Sequence, residues 1–321
     1  MVTGVGSDSV EQRQPLYRRA WAAQESLLSD RVLSFESQSM NWRCAHKNES
    51  ENQFPSRFSS PRGNYLDLMA EALKEPRMGA LQHSSWARFT KDFTRREVTY
   101  GSDIFPAMAG IVQRIQKHTG DTFYVGMWKS HFLDGLAWHP IQRDWEDNSK
   151  KPKTLRKRQP WTAPSWSWAS VIGKIDYSIS WVSCDYCARL EECTITRSGS
   201  DPFSAPTAAF ARITGPVTFI TDVQDEKDFL EGRPTCEIQL GNGTSTTAYA
   251  MFDFVRYDSC SVLMITPHWG LCIEEVEQAT DTYVRIGTVE ARRGLSWRKG
   301  EKREEPLAAA DHCPPRTITL L

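Results

Sequence analysis

In RAWAAQESLLSDRVLSF, Arg19 to Phe35, Trp21 and Glu25 stand four residues apart. With Gln24 and Leu28 they fall at i, i+3, i+4 and i+7, one side of a helix. A carboxylate inside an apolar stripe is costly unless it is paired or hydrogen-bonded. The plainer assignment gives Glu25 a partner in Arg18, Arg19 or Arg31 and makes the cluster a pin between this helix and the next segment. The sharper one makes Glu25 a functional acid. Two further groups are candidates for chemistry. Trp166 and Trp168 in PSWSWAS, read as a strand, would project side by side and offer a stacking platform to a sugar or peptide, although core packing is the commoner use of such a pair. Cys184 and Cys187 form CDYC, with Cys193 six residues on. A structural zinc site wants four ligands, usually as two spaced pairs, and no second pair follows, so buried or surface thiols are expected and no metal is assigned.

Other signatures are missing from the sequence. The seven histidines show no HExxH spacing, and there is no GxSxG elbow, no GxxxxGK[ST] loop and no GxGxxG after a strand. No nucleotide-binding fold of its own is indicated, and no cofactor is expected.

The elements that would position these residues can be read from periodicity. Ser29 and Asp30 break the first helix. Arg31 to Phe35 and Ser39 to Cys44 then read as a hairpin turning at Glu36-Ser37-Gln38. From His46 to Asn64 the Ser, Asn, Pro and Gly content marks a linker or long loop. Helical spacing returns at Trp86, Phe89 and Phe93, and again from Ile104 to Ile115, with Ser102 or Asp103 as N-cap, Pro106 in the first turn and Gly120 as the stop. Trp128, Phe132 and Leu136 predict one more helix over Tyr124 to Trp138. Between Lys150 and Arg158 six of nine residues are basic, which reads as a solvated linker in preference to a nuclear-import or phosphate-binding patch. Beyond Trp161 the pattern changes to period two, over Phe210 to Ile220, Cys236 to Leu240, Tyr249 to Val255, Val262 to Ile265, Tyr283 to Val289 and Thr317 to Leu320. The fold class is therefore α+β, a helix and hairpin plus a helical segment followed by a mostly antiparallel β domain of sandwich or barrel type. The boundaries expected are 1–50, 51–145, a basic linker at 146–160, and 161–321.

Composition narrows the setting. The 321 residues are 40% hydrophobic and 25% charged, and 39 basic against 40 acidic side chains leave a net charge of -1, so no global field favours nucleic acid or anionic lipid. No secretory leader, spanning segment or lipidation motif is visible. The eight irregularly spaced cysteines fit reduced core thiols, and a cytoplasmic protein is expected.

One block has a family likeness. PLYRRAWAAQESLLSDRVLSFESQSMNWRC, Pro15 to Cys44, resembles the last block of the fungal heterokaryon-incompatibility (HET) domain, through Arg19, Trp21, Gln24, Glu25, Arg31, Trp42 and Cys44. DFTRREVTYGSDIFPAMAGIVQRI, YVGMWKSHFLDGLAW, APSWSWASV and YVRIG resemble the region that follows that domain in such proteins. Only about fifteen residues precede the block, where the family carries further strands, so an N-terminally truncated member is expected. The resemblance implies fungal nonself recognition and regulated cell death, with protein partners. It also implies a link to TIR domains, some of which cleave NAD through a W-x-x-x-E glutamate. There Glu25 would be the catalytic acid, NAD the substrate, and its task to stabilise oxocarbenium character as the nicotinamide–ribose bond breaks. Since a lone carboxylate is not a site, the preferred expectation is a non-catalytic interaction or regulatory module. The alternatives are an NAD-cleaving effector, or a β module binding peptide or glycan through Trp166 and Trp168.

Overall fold

The computed structural model describes residues 15–16, 18–35, 40–44, 48–51, 85–141, 155–177, 186–224, 234–291 and 313–321. Helix α1 (Ala20–Leu28) leads into a three-stranded antiparallel sheet, β1 (Arg31–Phe35), β2 (Met40–Cys44) and β3 (Asn48–Ser50). The expected hairpin is present, with Leu33 opposite Trp42 and Phe35 opposite Met40. Its turn at Glu36-Ser37-Gln38 lies outside the described residues. Strand β3 comes from the stretch assigned to a linker: Asn48–Ser50 pairs with Asn41–Arg43. A short polar segment suits an edge, where one side of the ladder faces water.

Helix α2 (Ser85–Phe93) buries Trp86, Phe89 and Phe93, as their spacing requires. Helix α3 (Ala109–Thr119) buries Ile111, Val112 and Ile115 and ends at Gly120 with φ 73°. It starts later than Ser102 or Asp103, because tight 3₁₀ turns occupy Gly101–Asp103 and Pro106–Met108.

The helix expected over Tyr124 to Trp138 is not formed. The chain instead makes β4 (Phe123–Tyr124), β5 (Met127–Trp128), a single turn α4 (Phe132–Gly135) and β6 (His139–Pro140). Val125 (φ 37°) and Gly126 (φ 109°) both take positive φ, which closes a tight hairpin and excludes a helix there. Nearly every side chain from Met127 to Pro140 is buried, so the recurring aromatics report a core crossing and not one apolar face.

Part of the basic stretch is also ordered. Strand β7 (Arg156–Lys157) pairs with β8 (Val171–Ile172), Leu155 is buried, and Arg158 donates to the Ala169 and Val171 carbonyls at 3.2 and 3.0 Å. Lys150 to Thr154 lie outside the described residues. PSWSWAS is not a strand: it forms a turn and a 3₁₀ helix, Trp168–Ser170, capped by the Ser167 hydroxyl accepting from Ala169 N–H at 3.1 Å. Strand β9 (Ile175–Asp176) pairs with β6.

The β expectation for the C-terminal half holds. An eight-stranded sheet comprises β10 (Arg189–Arg197), β11 (Pro206–Gln224), β12 (Thr235–Gln239), β13 (Ser245–Phe252), β14 (Cys260–Thr266), β15 (Trp269–Glu275), β16 (Thr282–Ala291) and β17 (Pro315–Leu320). Each pairing is antiparallel except a short β16–β17 contact. The order β11-β12-β13-β16-β15-β14 returns to β11, since Ile220 pairs with both Ile238 and Cys260, so six strands close on themselves. The N-terminal half of β11 runs on between β10 and β17. No helix among the described residues is long and apolar enough to cross a membrane.

Strand alternation divides the apolar residues into two cores. Ile220, Cys236, Ile238, Ala250, Val262, Met264, Cys272 and Val289 fill the ring. Leu263, Ile265, Leu271 and Ile273 point out of it into a second core, which Ile318 and Leu320 of β17 join and the aromatic helical region shares. There Trp86 meets Trp128 at 5.3 Å and Phe132 meets Trp166 at 5.1 Å, both edge-on. Arg285 joins the two parts from β16. Its Nε and Nη2 bind the Asp253 carboxylate at 2.9 and 3.1 Å, Nη1 donates to Leu136 O at 2.5 Å, Nη2 donates to Trp138 O, and the guanidinium lies 3.4 Å from the Trp138 ring centroid. Burial pushes the Asp253 carboxyl up and the guanidinium only partly opposes it. The pair therefore fixes position more than it adds net stability. Arg285→Met, which strands the acid, should lower the urea-unfolding free energy by about 3–5 kcal/mol. Adding Asp253→Leu should restore part of that loss.

Candidate functional site

The first helix is amphipathic in a different sense from the one its tryptophan implies. Ala20, Ala22 and Ala23 are its buried residues, with Leu27 and Leu28 half-buried beside them. Trp21 is 36% exposed and Glu25 is exposed. Glu25 is thus not in an apolar stripe, and the expected cost of burying it does not arise. The reason is size: alanine on the inner side lets α1 approach α3 closely, whereas a tryptophan there would hold the helices apart. At Gly110 a Cβ would lie 2.6 Å from Leu28 Cδ1 and 3.2 Å from Gln24 Oε1.

That approach brings Gln24 into use. Its Oε1 accepts the Gly110 backbone N–H at 2.7 Å, a group in the first turn of α3 that has no intrahelical acceptor. The Gln24 side chain thus completes the first turn of another helix. Arg19 holds its place through the backbone in a bridge to Glu97, and Ala20 N–H donates to Glu97 O at 3.0 Å. It is Arg18 that forms the ion pair, with the Glu97 carboxylate, both partners more than half exposed. An exposed pair of this kind contributes little. Arg43 fastens the hairpin to the helix: its Nη2 donates to Ser26 O and to Ser26 Oγ, the latter at 3.1 Å. The spacing of Arg43 gave no sign of this, because the bond spans 17 residues.

The register fixes what the hairpin presents. Val32, Ser34, Asn41 and Arg43 share the face with the Arg43–Ser26 contact. Arg31, Leu33, Phe35, Met40, Trp42 and Cys44 share the other. On that second face Leu33 is 48%, Phe35 75% and Met40 39% exposed, Arg31 is exposed, and Trp42 and Cys44 are half-buried. Three large apolar side chains in adjoining positions form a patch, in contrast to the single exposed apolar residues common on any surface.

The tryptophan pair has a different fate. Trp166 and Trp168 are buried, Trp168 Nε1 donates to Gly126 O at 2.9 Å, and the Trp166 carbonyl accepts from Trp138 Nε1 at 2.9 Å. Neither indole faces solvent, and both serve the aromatic core. Among the cysteines, Cys184 lies outside the described residues. Burial, with Glu192 adding to it, pushes the Cys193 thiol up to about 12, which keeps it protonated. No group of three or more His, Cys, Asp or Glu side chains that could hold a metal occurs among the described residues.

Comparison of the chain with protein-family models, with curated proteins and with solved structures found no match. The geometry separates two neighbouring residues cleanly. Gln24→Ala should cost roughly 1–2 kcal/mol in thermal or urea unfolding, since Gly110 N–H loses its acceptor. Glu25→Ala should stay within about 0.5 kcal/mol of the parent.

Proposed function

We propose that the chain is a protein-interaction module of the heterokaryon-incompatibility class, acting in the fungal cytoplasm in nonself recognition and regulated cell death, with no catalysis of its own. The observation that carries this is the bare apolar face of the hairpin, Leu33, Phe35 and Met40, within the block Pro15 to Cys44 that resembles the HET domain. Aromatic and methionine side chains on an exposed patch are the residue types that protein partners cover. The opposite face is occupied by the Arg43–Ser26 contact, which holds the patch outward. Glu25 sits on the exposed side of α1, where its carboxylate is a solvated surface charge.

A second reading keeps one observation in its favour: Trp21 and Glu25 lie four apart on the same exposed side of α1. Cleavage of NAD there would need walls to bind the dinucleotide and exclude water, supplied by another chain.

Expression in a fungal host separates the two. With interaction as the function, Phe35→Asp abolishes growth arrest while the melting temperature holds, because the ring is 75% exposed. Glu25→Ala then leaves both growth arrest and cellular NAD unchanged. A fall in NAD that Glu25→Ala prevents would establish the second reading instead.

A further inference from the structure

A cleft of about 270 Å³ opens between the end of α3 and the β10–β11 hairpin, well apart in sequence from the Pro15–Cys44 block. Phe123 and Tyr124 of β4 form one wall and Ile195, Arg197 and Phe203 the other, with Gln116 of α3 between them. Its size is just under the roughly 300–1,000 Å³ of drug-sized pockets and suits a ligand of one or two rings.

Both walls are held by short hydrogen bonds, so the cleft is formed in advance. On the α3 side the Asp121 carboxylate accepts from Thr122 N–H at 2.7 Å and Ser130 Oγ–H at 2.5 Å. On the β10 side Phe203 N–H donates to Asp201 Oδ1 at 2.7 Å, Ser204 Oγ–H to Asp201 O at 2.7 Å, and Ser198 N–H to Ala205 O at 3.1 Å. A ligand entering such a site loses little affinity to ordering the protein.

The charge of the lining is one-sided. Among the described lining residues Arg197 is the one ionised side chain, and only its Nη1 is engaged, donating to Ser204 O at 2.9 Å. Burial lowers the guanidinium from its ordinary value and Asp201 only partly offsets this, its Oδ1 already accepting from Phe203 N–H. A half-buried cation with donors to spare, beside three aromatic rings, is complementary to an anion carried on a flat apolar body.

We propose that this cleft binds an aromatic carboxylate, with the ring among Phe123, Tyr124 and Phe203 and the carboxylate on the Arg197 guanidinium. Two sources share that chemistry, a free aromatic acid and an aromatic residue at the C-terminus of a peptide. The site is independent of the hairpin face and of the function proposed for it.

Calorimetric titration of the full chain tests the site with phenylacetate against neutral phenylacetamide, and with a tripeptide ending in phenylalanine, as free acid against amide. The acid of one pair or both should bind roughly tenfold or more tightly than its neutral counterpart, and the pair that does so identifies the source. Arg197→Met should erase that preference. Should that variant lower the melting temperature through loss of the Ser204 contact, Ile195→Trp, which fills the cleft from β10, should abolish binding of the same probes. Absence of binding by all four probes to the parent chain, or an acid preference that survives Arg197→Met in a folded protein, overturns the proposal.

Discussion

A guanidinium with no access to water organises this molecule. Arg285 satisfies its charge at Asp253, two further donors at the Leu136 and Trp138 carbonyls, and its flat face on the Trp138 ring. Because a buried cation tolerates no missing partner, each of those groups must be in place together. Asp253 follows β13, Arg285 lies on β16, and Leu136 and Trp138 belong to the segment after α4. The closed ring of strands is thus set against the aromatic core at one point, and the apolar surfaces on either side settle around it.

Much of the remaining order branches from that point. Ser165 Oγ accepts the Arg285 N–H at 2.9 Å and donates to Leu321 O, while Trp138 and Trp168 donate to carbonyls of Trp166 and Gly126. The segments YVGMWKSHFLDGLAW, APSWSWASV and YVRIG therefore hydrogen-bond to one another across large sequence separations. Their recurring tryptophans, serines and glycines meet the demands of a crowded interior. At Gly126 a side chain would come within 2.9 Å of both Ser167 Oγ and Trp168 Nε1.

The stretch leading into α3 was legible in the sequence because one side is buried and the other is wet. Most strands beyond Phe210 were legible through their runs of β-branched and aromatic residues and the turns between them. Strands β13 to β15 nevertheless bury consecutive positions, one side in the ring and the other in the second core, and β15 (Trp269–Glu275) was not among the strands expected. Strand β10 was not legible: Arg189–Arg197 alternates exposed with half-buried positions, which leaves little apolar contrast. The region from Tyr124 to Trp138 misled for the opposite reason, since it is buried on all sides and its spacing carries no directional information. In α1 the error was one of weight. Trp21 dominates any hydrophobic pattern, yet three alanines decide which side is buried, because helix approach rewards smallness. The exposed hairpin patch was foreshadowed by the alternation of Leu33, Phe35, Met40 and Trp42, but nothing in that alternation tells which side will be covered.

Strand β11 runs over 19 residues and belongs to two neighbourhoods, flanked by β12 and β14 toward its end and by β10 and β17 toward its beginning. Its partner β17, Pro315–Leu320, is made about a hundred residues later, as in the Thr214–Thr317 pair with |i−j| of 103. During synthesis the longest strand among the described residues therefore waits with one edge open until Pro315–Leu320 has emerged from the ribosome. Strand β17 seals that edge, and the interval before its arrival is when a neighbouring nascent chain has its best opportunity to pair in its place.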